Sequence, residues 1–211
     1  MKNMKKLKVA IILLASLFCL ASAVSADVLY DNLNSISEDF DSLAVLGPKF
    51  FDSFSTGPSG FNLIDVQLLL KGTPSPGSLS VDLYSDSSTA PGAPLLNIGT
   101  LSDNALPSTA SVVDFALGSP YALAANTRYW LVLDSLDSTN ISTVLWSWSL
   151  NQSGVGVAGE YFGHDGVVFP NAQGPYQMRL SDTSPIPEPA TMLLLGSGLI
   201  GLLGLRRKFR N

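Results

Sequence analysis

The chain is poor in the groups that build enzyme sites. Its 211 residues include one cysteine, Cys19, and one histidine, His164. With no second histidine and no other thiol, a Cys/His zinc site has no ligand set. Basic residues are scarce outside the two ends. Of the 12 Lys+Arg, Lys2, Lys5, Lys6 and Lys8 lie at the start and Arg206, Arg207, Lys208 and Arg210 at the finish, leaving Lys49, Lys71, Arg128 and Arg179 between. All 17 Asp+Glu fall between Asp27 and Glu188, so residues 27–189 carry a net charge of −13. A surface of that sign repels phosphate backbones, and nucleic acid is not expected as a partner. Glutamate is also short: only Glu38 and Glu160 precede residue 183, so the opposed carboxylates of a glycosidase would need Asp. No Gly-x-Ser-x-Gly elbow occurs before Ala190, Gly57-Pro58-Ser59-Gly60 lacks the spacing, and no phosphate-cradling glycine loop is present. The expectation is a protein that is not an enzyme, with no catalytic residue, metal or cofactor.

Sustained helical periodicity is missing as well, and all 13 prolines lie between residues 48 and 189. What stands in its place is short alternation. In Phe61–Lys71, Ile64, Val66, Leu68 and Leu70 are expected on one face, with Asp65, Gln67, Leu69 and Lys71 on the other. Leu79, Val81 and Leu83 alternate with Ser80, Asp82 and Tyr84, and Tyr129, Leu131 and Leu133 with Trp130 and Val132. Trp146, Trp148 and Leu150 alternate with Ser147 and Ser149, and Tyr176, Met178 and Leu180 with Gln177 and Arg179. These are period-two, half-buried strands separated by Pro/Gly-rich turns such as 73–77 and 90–94. The pattern predicts an all-β domain over 27–182, an antiparallel β-sandwich of jelly-roll-like type, with a closed barrel as the rival. At 163 residues, 27–189 is the size of one domain.

Residues 1–26 have the parts of a secretory signal peptide: the basic start, the apolar stretch Val9–Leu20, and small-x-small sites at Ala21-Ser22-Ala23 and Val24-Ser25-Ala26. Cleavage is expected after Ala26; an uncleaved anchor is the alternative. Phe18 before Cys19 argues against a lipoprotein. Cleavage leaves no cysteine, so the exported domain must rely on its core rather than on disulfides. At the other end, 183–189 is a Pro-rich linker, since Pro185, Pro187 and Pro189 suit neither strand nor helix. Ala190–Leu205 is expected to be a single membrane helix; its 16 residues span about 24 Å at 1.5 Å each, short against roughly 30 Å of hydrocarbon. The basic tail 206–211, with Arg206, Arg207, Lys208 and Arg210, acts as a stop that stays cytoplasmic.

Pro187-Glu188-Pro189, the glycine-rich apolar run after it and Arg206-Arg207-Lys208 together resemble the PEP-CTERM sorting signal of Gram-negative bacteria. The resemblance covers about the last 25 residues. It implies processing at or near Pro187-Glu188-Pro189 by an exosortase-type enzyme, after a transient stay in the inner membrane, then transfer to the cell surface or extracellular matrix, often in bacteria that make exopolysaccharide. The same tail occurs on some ice-binding proteins, and a name of that kind would describe the tail alone. The ectodomain is similar to the choice-of-anchor R type. The carrying segments are Asp52-Ser53-Phe54-Ser55-Thr56-Gly57, Val81-Asp82-Leu83-Tyr84-Ser85-Asp86, 120–131 and Ala158-Gly159-Glu160-Tyr161-Phe162. That resemblance implies a surface domain of unknown activity.

Within the domain, His164 in Gly163-His164-Asp165-Gly166 is expected at a solvent-facing turn rather than as a base or ligand. Asp39 with Asp41, or Asp134 with Asp137, offers oxygen ligands for Ca²⁺, with turn capping as the plainer role. Trp146 and Trp148, two apart on one strand face, form a candidate platform for sugar rings, the same spacing that core residues would show. A structural or adhesive surface protein is therefore expected, with a carbohydrate-binding module for secreted polysaccharide as the alternative; hydrolase chemistry and ice binding have weaker motifs.

Overall fold

β-Branched, leucine and aromatic residues at every second position favour a pleated strand with one face turned inward, and turn residues cut such strands short. The computed structural model describes residues 27–43, 49–73, 76–136, 144–164 and 166–182. They form β1 (Val28–Asp31), β2 (Asp39–Ser42), β3 (Phe50–Ser55), β4 (Phe61–Gly72), β5 (Ser78–Asp86) and β6 (Pro91–Ser102). Then follow β7 (Ser111–Leu123), β8 (Arg128–Ser135), β9 (Val144–Trp148), β10 (Tyr161–His164), β11 (Val167–Pro170) and β12 (Met178–Ser181). Two 3₁₀ turns, Asp103–Ala105 and Asn171–Gln173, are the only helical elements among the described residues. None is long and apolar enough to cross a membrane. The signal segment 1–26, the linker 183–189, the apolar run 190–205 and the tail 206–211 lie outside the described residues.

The strands make two antiparallel sheets. One runs β1-β12-β4-β9-β2, with β7 along the other side of β4; the other runs β11-β10-β3-β8-β5-β6. Neither closes on itself, as a barrel would require. Residues from both share one buried cluster: Leu68, Leu70, Met178 and Leu180 from the first, Leu79, Leu83, Leu131 and Leu133 from the second. The two sheets are thus layers over a common core.

Several strands depart from simple alternation; β3 is buried at all of 50–54, and β4 and β8 depart in ways that shape the core. In β4 the register against β7 shifts between Leu63 and Asp65. Leu63, Val66, Leu68 and Leu70 are fully buried, whereas Ile64, expected beside Val66, is only half-buried. One extra residue in a bulge exchanges the faces of the strand on either side of it. In β8 both faces are covered. Tyr129, Leu131 and Leu133 join the main core, while Trp130 and Val132 pack with Phe51 in a second cluster on the outer face, flanked by Tyr84 and Tyr161. Trp130 meets the Phe51 ring edge-on at 5.5 Å and donates its indole N–H to Asp86 Oδ1 at 2.8 Å, so neither its apolar body nor its polar tip is left unmatched.

β1 and β12 lie side by side, so the two ends of the described domain meet. The Asp27 backbone N–H donates to Asp182 Oδ1 at 2.8 Å, and the Asp182 N–H to the Asp27 carbonyl at 3.1 Å. Beside them, the buried Gln177 amide donates to the Ser35 carbonyl at 2.8 Å and accepts from Ser147 Oγ at 2.6 Å, fastening the β1–β2 connection to β9.

Candidate functional site

The two sheets leave an open side between the β9–β2 edge of one and the β10–β11 edge of the other. A cleft of about 280 Å³ lies there, lined by Asp41, Trp148, Phe162, His164, Phe169, Gln173 and Gly174. Its residues come from β2, β9, the β10–β11 hairpin and the turn before β12.

Tyr176 is the pivot beneath it. This fully buried ring stacks on Trp146 at 4.4 Å and on Phe50 at 5.3 Å, and meets the Phe162 edge at 5.7 Å. Its hydroxyl donates to Asp41 Oδ2 at 2.9 Å, which fixes a carboxylate at the cleft wall. Its backbone N–H donates to Asp52 Oδ2 at 2.7 Å. The neighbouring turn needs glycine: Gly174 has φ +126°, and a Cβ there would come within 3.0 Å of the Trp148 ring. On the opposite wall, Phe169 lies 5.5 Å from Phe162 and 5.4 Å from the His164 imidazole. Phe162 can follow this course because Gly163 admits the Phe51 ring, only 2.3 Å from where a Cβ would sit.

A buried polar group lies behind this wall. Glu160 accepts from Ser53 Oγ at 2.6 Å and from Arg128 Nε at 2.9 Å. Asn171 donates to the Tyr30 hydroxyl at 3.2 Å and the Val157 carbonyl at 3.1 Å. Burial above all, with the Glu160 charge adding to it, pushes the Asp52 carboxyl well above its usual range, against the pull of the Tyr176 N–H. Burial likewise raises the Tyr30 phenol, with Asp52 and Glu160 reinforcing. Asp52 Oδ1 and Asn171 Oδ1 have no hydrogen-bond partner. A carboxyl held neutral lowers the cost of burying such a group. None of these side chains lines the cleft; Asp52, Asn171 and Tyr30 hold the 171–176 turn, whose Gln173 and Gly174 reach its rim.

The expected tryptophan platform is not formed. Trp146 is fully buried, its indole N–H donating to the Gln177 carbonyl at 3.0 Å, and a ring enclosed in the core cannot receive a sugar. Trp148 is half-buried and reaches the cleft. Both follow the same strand face, but Trp146 stacks on Tyr176 inside the core, while Trp148 packs against the core from its margin and reaches the cleft. His164 also differs from expectation. It closes β10, half-buried, with its ring 6.0 Å from Phe50, rather than facing solvent in a turn; Asp165 lies outside the described residues. Asp39 turns back to accept from the Phe40 N–H at 2.8 Å, and Asp134 pairs with Lys49 at 2.9 Å; Asp137 is outside the described residues. Among the described residues no group of three or more His, Cys, Asp or Glu is placed to hold a metal ion. Phe162, Phe169, Gln173 and Gly174 were not visible as site residues. For Phe162 and Phe169 the one local signal is the pair of short apolar segments that become β10 and β11; Gln173 and Gly174 carry none.

Beyond the domain, residues 185–208 match the PEP-CTERM protein-sorting motif, which includes Pro187, Glu188 and Pro189. No curated protein matches the chain at a meaningful level. A tail of this kind marks an exported protein that passes through membrane-associated sorting toward the cell surface and is handled by an exosortase-type processing enzyme.

Proposed function

We propose that the chain is a non-catalytic surface or extracellular-matrix protein of a Gram-negative bacterium, with a jelly-roll-like ectodomain of choice-of-anchor R type that acts structurally or in adhesion. The signal peptide directs export and is removed after Ala26. The 190–205 segment then lodges as a helix in the inner membrane, stopped by Arg206, Arg207, Lys208 and Arg210, while the linker offers Pro187-Glu188-Pro189 for cutting outside. The match over 185–208 carries this reading. The meeting of Asp27 and Asp182 supports it, because both membrane-directed segments then leave the domain at one corner. The test replaces Pro187, Glu188 and Pro189 together by alanine and follows the protein by immunoblot in envelope and medium. The expected outcome is an untrimmed form retained in the inner membrane. Trimming and delivery like those of the unaltered chain would contradict the proposal.

A further inference from the structure

We infer that the Trp148–Phe169 cleft is a binding subsite for an uncharged sugar ring of a polysaccharide. This deepens the adhesive part of the reading above by naming what the domain holds.

Three of the seven lining residues present large aromatic rings: Trp148 from β9, and Phe162 and Phe169 from the β10–β11 hairpin. Pyranose rings present patches of C–H that pack on aromatic faces, while their rim of hydroxyls requires hydrogen-bond partners. Asp41, Gln173 and His164 supply polar atoms around the same opening. The volume, about 280 Å³, falls just below the roughly 300 Å³ at which pockets for drug-sized ligands begin, which suits one or two rings of a chain passing through an open site. The site is also built in advance. Tyr176 holds Asp41 at 2.9 Å, and the Gly174 turn packs against Trp148, so these two side chains have little freedom left to lose on binding. Charge narrows the class. Asp41 stands at the wall and residues 27–189 carry −13, so a uronate or sulfated glycan would meet repulsion at both short and long range.

Tryptophan gives a local readout. Trp130 and Trp146 are both fully buried, which leaves Trp148 as the tryptophan that reaches solvent. The test runs the secreted domain through native gels containing dextran, laminarin, galactomannan or xylan, with alginate as the acidic control, and follows acrylamide quenching of fluorescence with the same probes. The expected result is retardation by at least one neutral glycan and not by alginate, with that glycan shielding Trp148 from quenching. Trp148→Ala should weaken the retardation about tenfold or more. Because that variant also removes a neighbour of the Gly174 turn, Gln173→Ala, at an exposed position, provides a second reading: about threefold weaker binding with an unchanged melting temperature. No retardation by any neutral glycan, equal retardation by alginate, or unaltered binding in both variants would overturn the assignment. If such a failure accompanies correct trimming at both ends, the cleft assignment falls and the sorting reading stands.

Discussion

Single residues carry most of the unusual chemistry of this domain, and Asp65 is the most testable. It lies in β4 beside Asp114 and Arg179, nearly fully buried, with Oδ1 lacking a hydrogen-bond partner. Burial first, and then the Asp114 charge, pushes its carboxyl up to about 6, with Arg179 opposing. The folded value is raised above the unfolded one, so the folded chain binds the extra proton and stability falls as pH rises from about 4 to about 6. Asp65→Asn removes that loss. Urea unfolding at pH 7 should show the variant more stable by about 1–2 kcal/mol, a figure discounted for screening at the outer face of the sheet, with the gap closing below about pH 4. An equal gap at both ends of this range would contradict the assignment. Asp52, despite its stronger displacement, has a positional role, since its Oδ2 fixes the Tyr176 backbone.

At the scale of elements, the legible strands were those whose alternating apolar residues all face inward. β5 and β12 are of this kind: Leu79, Val81 and Leu83, and Met178 and Leu180, are all fully buried, although Ser80 and Ser181 are covered as well. β4 misleads at Ile64 because a bulge is a property of pairing with β7, not of the β4 residues themselves. The second cover over Trp130 and Val132 was equally hidden, since alternation cannot say what lies above an outer face. The β1–β12 pair leads to a prediction of its own. In a chain cut after Ala26, the Asp27 nitrogen becomes a terminal ammonium, and its 2.8 Å bond to Asp182 Oδ1 becomes an ion pair. Asp182→Asn should then cost on the order of 0.5 kcal/mol and speed amide exchange at the start of β1 and the end of β12, with the rest of the domain unchanged. Unaltered exchange there would show that the bond contributes nothing.

For the molecule as a whole, what could be read from sequence depended on how far apart the participating residues are. The sorting tail is a linear signal in which tripeptide, apolar run and basic end follow one another, so it stands in the sequence complete. The cleft gathers Asp41, Trp148, the 162–169 hairpin and Gln173–Gly174, and only the meeting of two sheet edges brings them together. That is why the aromatic pair visible in sequence, Trp146 and Trp148, divides into a core ring and a cleft ring. The charge partition acts at this scale too: the acidic body between two basic ends disfavours anionic surfaces as partners of the domain. Mass spectrometry of both mature termini, taken from envelope and medium of cells making the unaltered chain, separates sorting from simple anchoring. An N-terminus at Asp27 and a C-terminus within residues 183–189 are expected, and a chain reaching Asn211 in every fraction would rule out exosortase handling.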